Sequence, residues 1–285
     1  MNRNRMSLWG AGASVVLFIF LYAPTFFALV AVWWGSDVYA HGFLIIPISL
    51  YLIFAKRTAK ETAKETACQT KQPDPNLIGG ILMLVFSMVM LLLGRFGDIV
   101  TLEALSFIMT LAGIVLLLLG PSFLLAWRFP IAYLLFMIPI DRLLLQKVHW
   151  PLQLFTAQMG TSLLNLLGFP AFLQDEYIEL PNITLEVAKA CSGLNYLTAI
   201  IAVGMPLAYL SLRHTKWKVI LVLSAVIIAI LANGARVAFA GILGSLGHAI
   251  HGPLHIFEGV VIAWIGFITL FAGAWFLARI ESREC

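Results

Sequence analysis

Residues 77–93 read LIGGILMLVFSMVMLLL, an apolar run centred on Leu84 and free of charged side chains. A helix needs roughly 20 such residues to cross the hydrocarbon core of a bilayer, where every backbone polar group must be satisfied internally. Similar runs recur along the chain, centred near Phe20, Ile48, Ile114, Leu134, Ile201, Ile227 and Phe267. Together they make about eight transmembrane helices. Composition agrees: of 285 residues, 61% are hydrophobic and 11% charged, with a mean hydropathy of +0.96. That is too apolar for a soluble domain. The expected fold is an all-α polytopic membrane protein, with residues 1–285 as one integral membrane domain and lipid as its surroundings.

Orientation follows from lysine and arginine, which concentrate in cytoplasmic loops. With the N-terminus inside, the cytoplasmic segments collect Arg3, Arg5, Lys56, Arg57, Lys60, Lys64, Lys71, Arg128, Arg213, Lys216, Lys218, Arg279 and Arg283, thirteen of eighteen basic residues. The outer side keeps Arg95, Arg142, Lys147, Lys189 and Arg236. Both termini are then cytoplasmic. The net charge of +4 reflects topology. Its basic residues form no folded patch, and nothing points to nucleic acid as a partner. The first apolar run lacks a small-residue cleavage site, and Trp33-Trp34 reads as an interfacial aromatic anchor, so a retained span is expected.

Lys56 to Asn76 carries a tandem Thr-Ala-Lys-Glu (Thr58–Glu61, Thr62–Glu65) followed by Pro73-Asp74-Pro75. Segment 56–76 is expected to be a solvated, low-complexity cytoplasmic loop, in part helical. Segment 141–190 differs in kind and is assigned to the extracytoplasmic interface. Pro139 and Pro151 interrupt the helical pattern, and Pro151 to Gly168 mixes helical apolar spacing with Gln153, Gln158, Thr161 and Asn165. This reads as a short interfacial or re-entrant helix stopped by Gly168 and Pro170. Tyr177–Leu180 and Thr184–Val187 then flank Pro181-Asn182-Ile183 as two alternating runs around a turn, a small hairpin leading into Cys191.

Ala190-Cys191-Ser192-Gly193-Leu194 puts a lone thiol just before a long apolar helix. Cys68 falls in the cytoplasmic loop and Cys285 is the last residue, so no disulfide with Cys191 is expected within the chain. A small buried apolar residue is the ordinary reading of such a cysteine. A reactive one is the alternative, because unpaired amides at a helix start stabilise a thiolate. Arg236 follows Asn233-Gly234 near the outer end of its helix. It is either an arginine reaching to the headgroups or a fork of donors for an oxyanion or a peptide carboxylate, with Asn233 in support of either. His248, His251 and His255 precede Glu258. No His-Glu-x-x-His is present and Gly252-Pro253 divides the set, so a standard zinc site is not expected. His255, in the first turn of a helix expected from Pro253, is the better acid–base candidate. His41 is held in reserve on the same outer side. No metal or other cofactor is called for.

Val187-Ala188-Lys189-Ala190-Cys191-Ser192-Gly193-Leu194, Asn233-Gly234-Ala235-Arg236-Val237 and Leu254-His255-Ile256-Phe257-Glu258-Gly259 resemble, in order, three motifs of the exosortase and archaeosortase family. Tyr39-Ala40-His41-Gly42-Phe43-Leu44 and Arg128-Phe129-Pro130 through Pro139 resemble the family's N-terminal half. The resemblance implies a bacterial inner-membrane cysteine protease or transpeptidase with its active site on the extracytoplasmic face. It would cleave the C-terminal sorting signal of exported proteins, commonly the Pro-Glu-Pro type with its own membrane helix and basic tail, often alongside exopolysaccharide synthesis. By motif, Cys191 takes the nucleophile position, Arg236 the arginine position and His255 the histidine position. Ser192, Asn233, Glu258 and His41 would support them. The acceptor is open, and so is the choice between transpeptidation and hydrolysis. Some relatives carry a further C-terminal domain; this chain is expected to work without it. The alternatives are a non-enzymatic transporter or polysaccharide-assembly subunit in which Cys191 packs, and a membrane acyltransferase with His255 as base.

Overall fold

The computed structural model describes residues 3–36, 38–64, 73–139, 142–248 and 253–284; side chains 3–15, 56–64, 142–146, 190 and 253–256 lie outside what is described. The chain divides into two compact units, Met1–Ile140 and Asp141–Cys285. The boundary falls where the sequence changes from long apolar runs to the mixed segment at Asp141.

The first unit contains helices α1 (Arg3–Gly35), α2 (Gly42–Lys64), α3 (Leu77–Gly97), α4 (Val100–Leu118), α5 (Pro121–Ala126) and α6 (Arg128–Tyr133), closed by a 3-10 turn at Leu134–Met137. Asn76 starts α3 by accepting a hydrogen bond from the Gly79 amide at 2.8 Å. α3 and α4 approach closely because glycines line their contact; a Cβ on Gly80 would lie 2.7 Å from the Leu117 Cα. Inside this unit, Glu103 is buried and accepts from Thr25 Oγ1 at 2.6 Å and from Arg95 Nε at 3.3 Å. Tyr22, Thr110 and Ser87 continue the polar chain at 2.7 and 2.9 Å. Polar groups at membrane depth persist when they satisfy one another. Of the Trp33-Trp34 pair, Trp33 is buried and its indole N–H donates to the Met137 carbonyl at 3.0 Å, while Trp34 is exposed.

Among the described residues, six helices are long and apolar enough to cross a membrane: 16–35 of α1, α3, α4, α8 (Leu194–Ser211), α9 (Thr215–Ser245) and 257–284 of α10 (Pro253–Glu284). The expected spans centred on Ile48 and Leu134 are shorter apolar helices, Gly42–Ala55 and Arg128–Met137. α2 itself is longer, but its last turns carry the charged repeat through Lys64; residues 65–72 lie outside those described. Large apolar side chains such as Phe20, Leu82 and Phe96 face outward, as lipid-facing surfaces do.

The second unit starts with α7 (Arg142–Leu166), which runs through Pro151 instead of beginning there. Proline removes one backbone hydrogen bond, and close packing on α9 carries the helix past it. Gly160 of α7 lies under Val237, Gly234 of α9 under Met159, and Gly241 under Leu164. After Gly168, in left-handed backbone at φ +86°, come strands β1 (Phe172–Gln174), β2 (Tyr177–Glu179) and β3 (Thr184–Glu186). β2 and β3 form the expected hairpin, with Ile178 opposite Leu185, and β1 adds a third antiparallel strand through a turn at Asp175. Ile178 and Leu185 point inward onto Ala157, Leu164, Val187, Val237 and Ala238, a core shared by α7, the sheet and α9. A second core of Ile200, Leu221, Ala225, Ala229 and Leu270 joins α8, α9 and α10. At the far end of α8, Glu281 of α10 accepts from the Arg213 and His214 amides at 2.8 and 2.6 Å and from His214 Nδ1 at 2.7 Å, closing the α8–α9 turn.

Candidate functional site

Cys191 lies at the end of a 3-10 turn, Lys189–Cys191, three residues before the first residue of α8. The turn forms because the Cys191 amide donates to the Ala188 carbonyl at 2.8 Å and the Ser192 amide to Lys189 at 3.1 Å. Gly193 then takes φ +89°, a left-handed conformation open to glycine, and starts α8. Its missing side chain is also needed for space: a Cβ there would sit 2.7 Å from Asn233 Nδ2. Asn233 is buried in α9 and donates from Nδ2 to the Cys191 carbonyl at 3.0 Å and to Thr156 Oγ1 at 3.1 Å.

Arg236 is on the same helix, within it and nine residues short of its end at Ser245, so it is not the terminal arginine the sequence suggested. At helical rise those nine residues span roughly 14 Å. Its side chain is 13% exposed, with Nε 3.9 Å from Glu258 Oε1 of α10. The guanidinium lies over the Tyr196 ring of α8, 5.6 Å from its centroid, and the Tyr196 hydroxyl donates to the Gly259 carbonyl at 2.7 Å. Three helices thus hold one cation, and the ring supplies a cation–π face.

The thiol of Cys191 is free and partly buried against the α7–sheet–α9 core. Burial pushes its pKa up, the Arg236 charge pulls it back down, and Glu258 adds to the rise. Of the two readings of this cysteine, burial is thus the largest influence on the thiol, which sits in the 3-10 turn before α8 and not in the helix's first turn. Arg236 is the group that opposes burial.

Ser192 is buried, and its Oγ is 2.9 Å from His149 Nδ1. It faces α7. Sequence reading missed His149, and also missed that Gln153 and Thr156 share its face of α7. Gln153 Nε2 donates to the Val187 carbonyl at 2.5 Å and Thr156 Oγ1 to the Ser192 carbonyl at 3.0 Å. The available signal was their i, i+4, i+7 spacing along one helix.

His255 lies in the first turn of α10, which begins at Pro253 as expected; its side chain, like residue His251, is outside those described. His248 is exposed at the end of α9, its amide donating to the Leu243 carbonyl at 3.0 Å. His41 belongs to the first unit, where Nε2 is 3.1 Å from the Phe136 carbonyl. Burial holds its imidazole below the ordinary value, against backbone hydrogen bonds that act the other way. Cys191, Ser192, Asn233, Arg236 and Glu258 are thus brought together in the second unit.

No curated protein and no solved structure matches the chain. The transmembrane exosortase family model matches residues 33–272, most of its length, including Cys191, Asn233, Arg236, His255 and Glu258. The chain belongs to the transmembrane exosortase family, and is therefore a multi-pass membrane protein of the sorting transpeptidase class.

Proposed function

We propose that this exosortase is a cysteine transpeptidase that cleaves the C-terminal sorting signal of exported proteins, of the Pro-Glu-Pro kind, and transfers the new carboxyl end to a cell-envelope acceptor. The observation that carries the reading is Arg236, paired with Glu258 at 3.9 Å and three residues along α9 from Asn233, whose amide holds the Cys191 carbonyl at 3.0 Å. Exosortases act on exported proteins with C-terminal sorting signals. The whole of 1–285 works as one domain in the bacterial inner membrane, with both termini cytoplasmic and the site on the outer face. Exopolysaccharide production is the setting for its substrates.

The chemistry runs through a thioester. His255 takes the proton from Cys191, and the thiolate adds to the scissile carbonyl carbon. The negative charge that moves to oxygen faces Arg236, which stabilises it. Collapse breaks the C–N bond, the leaving amine takes the proton from His255, and the acyl group stays on sulfur. An amine or hydroxyl of the acceptor then attacks the thioester, gives its proton to His255 and expels the thiolate. Water in that place gives hydrolysis.

Two observations favour the rival reading in which Cys191 only packs: its contact with the apolar core and the rise in its pKa from burial. The two readings separate in Cys191→Ala. With a reporter protein carrying a C-terminal sorting signal, cleavage should fall by at least about a thousandfold at unchanged protein level. Intact cleavage in that variant sinks the thiol mechanism. A covalent reporter adduct on Cys191, located by mass spectrometry of quenched membranes, is the direct positive result.

A further inference from the structure

We propose that α7 is the positioning element for the thiol, acting through His149, Gln153 and Thr156. The inference rests on the reading of Cys191 as nucleophile. None of the three belongs to the motifs that suggested that reading. Spaced i, i+4, i+7, they share one helical face, and each holds the loop that carries Cys191. Gln153 takes the carbonyl of Val187 before the cysteine, Thr156 takes the carbonyl of Ser192 after it, and His149 takes the Ser192 hydroxyl.

The bonds form a directed chain. Thr156 Oγ1 has one proton and gives it to the Ser192 carbonyl, so it can only accept from Asn233 Nδ2. Asn233 gives its other proton to the Cys191 carbonyl. The consecutive carbonyls of Cys191 and Ser192 are thus held from two helices, and α7 and α9 are locked together by Gly160, Gly234 and Gly241. At Ser192 the Leu194 amide points at Oγ from 3.5 Å, and in the tautomer with Nδ1 unprotonated the hydroxyl donates its proton to His149. A neutral imidazole suits that role; burial and then Lys189 both lower its pKa. A loop tied this way has one position for sulfur relative to Arg236, and small misplacement of a reacting atom costs rate more than binding.

The test uses the full-length chain in membranes, with Cys68 and Cys285 replaced by serine so that Cys191 is the only thiol. Thr156→Val and His149→Ala should lower kcat for the sorting-signal reporter about 10- to 100-fold while KM stays within about twofold. Thr156→Ser and His149→Asn, which restore the hydroxyl and an acceptor near the Nδ1 position, should recover most of the rate. In the absence of substrate, maleimide labelling of Cys191 should change in rate in the first pair and return to normal in the second. Unchanged kcat and labelling in Thr156→Val and His149→Ala overturn the positioning role, as does failure of both conservative variants to rescue. An active Cys191→Ala overturns the catalytic reading instead, and the labelling rates then decide separately whether α7 holds the thiol.

Discussion

At Gly193 a single added carbon has two costs. Alanine there must adopt φ +89°, which costs an L-residue roughly 1–2 kcal/mol, and must displace the Asn233 amide that holds the Cys191 carbonyl. Gly193→Ala should therefore lower thermal stability in detergent by that amount and cut reporter cleavage more than Ser192→Ala does; equal effects on both measurements would argue against a role for the turn. Arg236 and Glu258 make opposite predictions for the same thiol. Burial raises the Cys191 pKa, Arg236 lowers it and Glu258 raises it. Removing the cation in Arg236→Gln should move the pH profile of Cys191 alkylation to higher pH, since thiolate forms later. Glu258→Gln should move it to lower pH. Arg236→Lys keeps the charge but loses the planar fork, so its alkylation profile should stay near that of the parent while cleavage falls about 100-fold, the scale of one lost oxyanion donor. Shifts in the same direction for Arg236→Gln and Glu258→Gln would remove the electrostatic account.

Helices α3 and α4 show how elements are joined where no water is present. Hydrophobicity does not drive helices together in lipid; close packing and internal hydrogen bonds do. Gly80, Gly94 and Gly113 let the backbones approach, and Glu103 collects Thr25 of α1 and Arg95 of α3. Glu103→Ala leaves that hydroxyl and that guanidinium without their shared acceptor. The cost should be about 1–3 kcal/mol, read as a lower melting temperature of the purified chain, with Glu103→Gln recovering part of it. In the second unit the hairpin was legible because Ile178 and Leu185 alternate with polar neighbours and both face the core. β1 was not legible: all three of its residues are exposed, so it carries no inward–outward period, and it exists because β2 offers an edge. The start of α7 was misplaced because proline acts locally, whereas the packing of Gly160 and Gly234 that sustains the helix joins residues far apart in sequence.

For the whole molecule, α8 separates the site from the Glu281 cluster by its full length of roughly 27 Å, close to the thickness of a hydrocarbon core. Arg213, Lys216 and Lys218 stand at the Glu281 end, and Lys216 Nζ pairs with Glu284 at 2.6 Å. If basic residues mark the cytoplasmic side, the thiol faces outward. A membrane-impermeant maleimide applied to intact cells should label Cys191 in the chain whose other cysteines are serine. It should label Lys216→Cys, in a chain that also lacks Cys191, only after permeabilisation; the reverse pattern would invert the orientation. The membrane class, six of the long apolar spans, the order of the three motifs and the lone state of Cys191 were all set by the sequence itself, because run length, composition and spacing are local quantities. The tertiary structure alone decided that Glu258 holds Arg236, that burial dominates the thiol, and that His149, 43 residues before its partner Ser192, reaches that loop at all. Those contacts depend on how close α7, α9 and α10 come to one another, and small residues on separate helices set that distance.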